Sequence, residues 1–329
     1  MQALNKHSYI SNFSLMKRFI KTTILFFLPF FFALAILECG MRNVPNDYKY
    51  KNNWLDKNIS HVHIWTFGSS HGLYGISPKH FTKQAFNSAH VSQSLKYDTF
   101  IFDKYIERAD SLEWVILPIS YFTIISCMEK GEDWWRIKNY CLYYDCPYHK
   151  YELKYNCEII GNPLTFYKQI KRVGIYRIKG VDDCRCDSLG LDLGYSKKCR
   201  ASEQWWKDGL QRAKFHTKNL DEKEDIIREN QNYLKRIIEK CANKGVKVLL
   251  LTTPVCSTYY NCVDSSQYAL MTETCQDFES KYNNVQYLNL FKDTRFNEDD
   301  FHDSDHLATE GAEKLTKILD EYISSISSK

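Results

Sequence analysis

Two short segments, far apart in the chain, hold residue types that could together carry out acyl transfer. The first is Ile64-Trp65-Thr66-Phe67-Gly68-Ser69-Ser70-His71-Gly72, an apolar run leading straight into a Gly-Ser-Ser turn. A serine hydroxyl is a weak nucleophile at its own pKa and needs a base within hydrogen-bond reach. A strand that ends in a tight turn fixes such a serine, lifts it out of the sheet and leaves backbone N–H groups to face a developing oxyanion. The second segment is Phe301-His302-Asp303-Ser304-Asp305-His306-Leu307. Asp303, three residues ahead of His306, can hold the imidazole in the tautomer whose other nitrogen takes the serine proton. Asp305 rivals Asp303 for that task, and His302 rivals His306. Taken singly, the first segment reads more simply as a turn and the second as a helix-capping loop. Taken together they predict a triad of Ser70, His306 and Asp303.

Such a triad requires elements that bring the two ends of the chain together. Five β-like runs are legible, at residues 62–67, 85–86, 114–119, 247–253 and 285–290. Amphipathic helical patterns lie at 94–108, 221–243 and 309–326, the second with Ile226, Ile227, Leu234, Ile237, Ile238 and Cys241 on one face and Gly245 to end it. Strands alternating with such helices predict a mostly parallel sheet of five strands covered on both faces, a three-layer α/β/α sandwich of the flavodoxin-like kind. Ser70 then follows the first strand, Asn87 the second and Ser120 the third, with Asp303 and His306 after the last. Polar groups at the carboxyl ends of the strands of an open sheet meet at one crevice. The alternation breaks over about residues 126–219, read as an insertion rich in cysteine and aromatic residues and including the pairs Trp134-Trp135 and Trp205-Trp206. These pairs could stack on sugar rings, although core or interface packing is the more ordinary use for them.

The N-terminus carries Lys17, Arg18 and Lys21 ahead of an uncharged run, TTILFFLPFFFALAIL, from Thr22 to Leu37. With Phe19 and Ile20 the run approaches the roughly 20 residues a spanning helix needs. Basic residues ahead of it place the N-terminus inside and the body outside. Residues 1–45 therefore read as a cytoplasmic N-terminus and membrane anchor, and residues 46–329 as the α/β domain, periplasmic or at the cell surface. A cleaved signal peptide ending near Ala33-Leu34-Ala35 and a lipoprotein signal ending at Cys39 are the competing readings, and both also export the domain. Twelve cysteines, seven of them between 127 and 199, suggest disulfides bracing the insertion in an oxidising compartment. Cys184-Arg-Cys186 lacks the paired knuckles of a structural zinc site, so no metal is expected. Apolar and charged fractions of 44% and 26% are those of a globular protein. The net charge of +4, spread along the chain with no basic–aromatic run, gives no footprint for nucleic acid.

The segments FGSSHGLYGISP, FNSAHVSQS and DSDHLATEGAEKLT resemble the first, second and last conserved blocks of the SGNH/GDSL hydrolases. The resemblance is nearest to their membrane-anchored exported branch, which includes the D-alanyl transfer protein of lipoteichoic acid synthesis and the alginate O-acetylation proteins. It implies Ser70 as nucleophile, the Asp303–His306 pair as its partners, and the backbone N–H of Ser92, where the family usually has glycine, as an oxyanion donor. The third block, with its asparagine donor, is missing, and Ser120 stands at about that place. Losing one such donor costs roughly 10²–10³ in rate in other systems. Asn87 and His71 complete the substrate-side candidates. The function this implies is hydrolysis or transfer of acyl groups, acetyl above all, on an exported polysaccharide or cell-envelope glycan. No cofactor is needed, and a membrane O-acyltransferase would be a natural partner. A plain carboxylesterase or lipase, and a catalytically silent glycan-binding scaffold of the same fold, are the alternatives.

Overall fold

The computed structural model describes residues 2–161, 166–181, 183–195 and 208–327. Five strands, β1 (Ile64–Thr66), β2 (Ala85–Asn87), β3 (Trp114–Pro118), β4 (Lys247–Thr252) and β5 (Val285–Asn289), form one sheet in the order β2-β1-β3-β4-β5. Every pairing is parallel, with Ile64 opposite both Ala85 and Trp114. Parallel neighbours demand crossovers, and two of the periodic segments supply them as α4 (Leu95–Tyr105) and α8 (Glu224–Asn243). A further helix, α9 (Ser265–Lys281), which sequence reasoning did not single out, joins β4 to β5, and the third periodic segment follows β5 as α10 (Thr309–Ser327).

Strand side chains alternate between the two faces, which explains why the strands read as continuous apolar runs. Trp65, Val115, Leu117, Val248 and Leu250 enter one core with α4, α8, α9 and Leu55 of α2 (Asp47–Asn58). Ile64, Trp114, Ile116, Leu249 and Leu251 enter the other, covered by Leu315, Leu319 and Ile323 of α10. The sandwich is thus three layers deep. The order reverses direction between β1 and β3, and at such a switch point the carboxyl ends of the strands leave a crevice.

At the amino end, α1 (Gln2–Asn43) contains a stretch, Leu15–Asn43, long and apolar enough to cross a membrane, only 6% of its most apolar window being buried. Between β3 and β4 the chain runs through a series of short helical turns and α5 (Ile137–Tyr143), α6 (Phe166–Lys179) and α7 (Gly209–His216). Among the described residues the expected disulfides are not present: all eleven described cysteines are free thiols, and Cys199 lies outside the described residues. Cys141, Cys146, Cys241 and Cys275 pack as small apolar residues in the core. The segment after β3 is held by other means, among them a buried Lys138–Glu158 ion pair to which Tyr143 adds a 2.7 Å hydrogen bond.

Candidate active site

The turn after β1 is built to hold one serine. Gly68 has φ of 102°, a left-handed conformation that glycine adopts at little cost, and it packs on Pro118 at the end of β3. Its N–H donates to Asp98 Oδ1 at 2.9 Å, and its carbonyl accepts from His90 N at 3.2 Å. Ser69 then caps α3 (Ser70–Gly75), with Ser70 as the first helical residue. A side chain at Gly72 would meet the carbonyl oxygen of Phe67 at 2.5 Å, so the helix can lie this close to the strand only with glycine there.

Asp98, fully buried, is pushed up to about 7 by desolvation, against hydrogen bonds from Gly68 N and Gln93 Nε2. The native state therefore holds a proton that the unfolded chain releases near pH 4, and stability falls as pH rises from about 4 to about 7. Asp98→Asn, which keeps the accepting oxygen, is expected to flatten that part of the melting-temperature profile and to melt higher than the parent above pH 7. Parallel profiles for the two proteins would refute this role for the buried carboxyl.

The two chemistry-bearing segments meet at the carboxyl edge of the sheet. Ser70 Oγ lies 2.8 Å from His306 Nε2, and His306 Nδ1 lies 3.0 Å from each carboxylate oxygen of Asp303. The same carboxylate accepts the backbone N–H groups of Asp305 (3.0 Å) and His306 (2.8 Å), which locks the loop around it. Ser69 Oγ is buried with no hydrogen-bond partner among the described residues, so the geometry distinguishes the two serines. Burial disfavours the His306 cation, but the charges of Asp303 and Asp305 outweigh it and the pKa is displaced upward.

Of the substrate-side candidates, Ser92 lines a cavity of about 650 Å³ together with Ser70, His306, Tyr195, Arg212 and Phe215. Ser92 has φ of 59°, which accounts for the glycine usual in the resembling block, and its hydroxyl donates to Asp133. The other three sit behind the cavity wall. The Asn87 amide donates to the carbonyls of Gly72 (2.8 Å) and Ile76 (2.9 Å) and so ties β2 to α3. Ser120 is buried, with its Oγ 2.7 Å from His71 Nδ1, and it does not reach the cavity where an oxyanion donor would stand. His71 is buried as well, with Nε2 3.2 Å from Asp305 Oδ2. A neutral imidazole satisfies both contacts, accepting from Ser120 and donating to Asp305; burial holds its pKa down.

Sequence reasoning did not find the two residues that reach the site from the segment after β3. Tyr195 lies stacked between Tyr74 of α3 and His302 of the Asp–His loop, with ring centroids 3.8 Å from each and the ring planes nearly parallel. It also meets His306 edge-on at 5.5 Å. Arg212 of α7 bonds Asp305 through Nε, at 3.0 and 3.2 Å from its two oxygens. Neither carries a local motif; only a clustered environment marks them. Trp134 and Trp135 do not line the cavity, and Trp205-Trp206 lies outside the described residues.

Among the described residues, one group has the donor types of a cation site: His71, Asp305 and His306, with ligand atoms within 4.8 Å of one another. The Arg212 guanidinium already supplies the positive charge beside Asp305, and His306 Nδ1 faces Asp303, so these residues do not fit a metal ion.

Fold and side chains together define an α/β protein with a Ser–His–Asp hydrogen-bond chain, partly buried at its serine, at the switch point of a parallel sheet. A protein-family model matches residues 155–328, just over half of the chain, and the chain belongs to that family; the match brings no activity with it and takes in Asp303 and His306 but not Ser70. No curated protein matches in sequence. Similar solved structures include a GDSL-like lipase from Bacteroides thetaiotaomicron, at 10% identity and TM-score 0.41, covering 87% of this chain and 99% of that one. Another, from Bacteroides fragilis and provisionally described as an acylhydrolase, has 11% identity and TM-score 0.39 over 85% of this chain and 95% of its own. A third, from Streptococcus pneumonia and provisionally described as a platelet activating factor, has 13% identity and TM-score 0.39 over 92% and 99%. At these scores the likenesses decide nothing about chemistry, which rests on the side chains.

Proposed function

We propose that the protein is a serine-dependent esterase or O-acyltransferase in which Ser70 is the nucleophile, His306 the general base and Asp303 the group that orients it. The observation that carries this reading is the unbroken chain Ser70 Oγ–His306 Nε2–Asp303, at 2.8 and 3.0 Å, opening on a cavity. Ser70 Oγ attacks the acyl carbonyl carbon while His306 Nε2 takes the hydroxyl proton. The tetrahedral intermediate collapses, the alcohol leaves with that proton, and the acyl group stays on Ser70. Water or a sugar hydroxyl then gives its proton to His306 and attacks the acyl carbon, and collapse returns the proton to Ser70. The backbone N–H of Ser70, in the unpaired first turn of α3, and that of Ser92 are the donors assigned to the oxyanion.

The substrate assigned is an acyl ester, acetyl above all, of an exported polysaccharide or cell-envelope glycan. Three blocks resembling the anchored branch of the SGNH/GDSL hydrolases support this, as does an apolar N-terminal helix preceded by Lys17, Arg18 and Lys21. The domain would then face outward from the cytoplasmic membrane, with a membrane O-acyltransferase supplying the acyl group.

A fluorophosphonate probe tests the chemistry without knowledge of the natural ester. It is expected to form one adduct, located on Ser70 by peptide mass spectrometry and lost in Ser70→Ala. Equal labelling of the alanine variant would remove Ser70 from the role. An acyltransferase would in addition hydrolyse a chromogenic acetate ester slowly and label a glycan acceptor, whereas an esterase would turn over the ester and leave the glycan unlabelled.

A further inference from the structure

The α6 helix reads FYKQIKRVGIYRIK, with Lys168, Lys171, Arg172, Arg177 and Lys179 and no acidic residue. At about 100° per residue, Tyr167, Ile170, Gly174 and Ile178 fall within one stripe about 80° wide, flanked by Arg177 on one side and Lys171 on the other. That stripe is uncovered: Tyr167 is 77% exposed, Ile170 41% and Ile178 83%. A methyl group added at Gly174 would meet nothing within 4 Å. The other side of the helix is engaged with the end of α1. Val173 Cγ1 would lie 3.3 Å from a Cβ at Gly40, and Arg172 donates to the Met41 carbonyl at 3.3 Å while pairing with Asp183 at 2.9 Å.

The level of this contact is fixed by α1 itself. Its apolar run ends at Leu37, and Gly40 and Met41 lie three and four residues on, about 5 Å farther along the axis. Head groups occupy roughly the first 5–7 Å beyond the hydrocarbon. The junction is held firmly. The Glu38 carboxylate accepts the N–H groups of Glu158 (2.9 Å) and Ile159 (3.1 Å), and Arg42 donates to the Asn156 carbonyl at 2.7 Å. An apolar stripe bordered by basic residues, at the depth of the head groups, is the composition of a helix that lies in a membrane interface.

We infer that α6 lies on the membrane, with Tyr167, Ile170 and Ile178 dipping into the head-group region and the flanking Lys171 and Arg177 meeting anionic lipid. This rests on reading α1 as a membrane-spanning helix. It gives the α/β domain a second attachment, so that the cavity keeps one orientation toward the bilayer instead of turning about a single tether.

The test uses the full chain in nanodiscs of phosphatidylcholine containing a minority of phosphatidylglycerol. Tryptophan is introduced by Ile178→Trp at this exposed position, and its emission, corrected for the parent protein, is compared in ordinary lipid and in lipid brominated high on the acyl chain. Brominated lipid is expected to quench the added tryptophan. Lys171→Glu with Arg177→Glu, both at exposed positions, should remove most of that quenching. Co-elution of the protein with the discs reports on α1 separately. Co-elution without quenching overturns the docking of α6 and leaves the anchor intact, as would a protein partner covering the stripe. Failure to co-elute overturns the anchor and the docking together.

Discussion

His306→Ala and Ser70→Ala are each expected to lower kcat on an acetate ester by about 10⁴–10⁶-fold, and the double variant to be hardly worse than either single one. The reason is that Ser70 Oγ and His306 Nε2, 2.8 Å apart, would act as one proton-transfer unit in the proposed reaction, so removing either member would remove both. KM should change little, because neither residue is needed to fill the rest of the cavity. Asp303→Asn leaves a side chain of the same shape but offers an amide where Nδ1–H needs an acceptor. By analogy with serine proteases its loss should be about 10⁴-fold. Both substitutions at Ser70 and His306 remove atoms without adding any, so the folded protein should survive, as circular dichroism would show. A Ser70→Ala protein that keeps more than a tenth of the parental rate would end the triad account.

The second large effect concerns the charges around His306. Asp305 Oδ1 stands 3.4 Å from His306 Nδ1, beyond Asp303 but within strong electrostatic reach. The groups facing this loop from other elements are Arg212 and His216 of α7, His71 and Tyr74 of α3, and Tyr195, with His302 on the loop itself. Burial pushes His216 down to about 3 and His71 below its usual range, so both are neutral near pH 7 and Arg212 is the opposing cation. Burial of Asp305 favours its neutral form, but His306, His71 and Arg212 more than compensate and hold the carboxyl well below the usual range.

In the proposed reaction His306 must be neutral to accept the serine proton, so the acid limb of kcat/KM should follow its pKa, which these carboxylates raise. Asp305→Asn removes a negative charge and should move that limb to lower pH. Arg212→Gln removes a positive charge and should move it to higher pH. Opposite charges a few ångströms apart interact by about 4 kcal/mol at an intermediate dielectric, and Arg212 offsets part of that for Asp305. The loss in kcat for Asp305→Asn is therefore expected at about 10–10²-fold, well short of Asp303→Asn. A purely structural defect would lower activity without moving the limb. Shifts of the same sign in both variants would show that Asp305 and Arg212 do not act on His306 through their charges.

Much of this molecule was legible without coordinates. Five apolar runs and three amphipathic patterns defined the sheet and three of its covering helices, though not α2 or α9, because strand and helix periodicities are local consequences of side-chain direction. The Gly-Ser-Ser turn and the Asp-x-x-His loop could be paired because each stands at the carboxyl end of a strand, where a parallel sheet must gather them.

What only the tertiary structure decided is which atoms the candidates touch. Ser120, Asn87 and His71 have suitable chemistry and suitable places in the chain. Yet their partners are Oγ to imidazole, amide to carbonyl and imidazole to Asp305, all behind the cavity wall. Burial is a property of packing and not of residue type. Tyr195 and Arg212 come from a segment without periodicity, and nothing local marks a ring that will lie between Tyr74 and His302 or a guanidinium that will neutralise Asp305. The cysteines misled for the same reason: their number suggested cross-links, but thiol separation is set by the fold, and the described ones stand as free thiols. Sequence determined the layers and the two segments that meet at the carboxyl edge of the sheet; the electrostatics around His306 arose only when distant segments packed against one another.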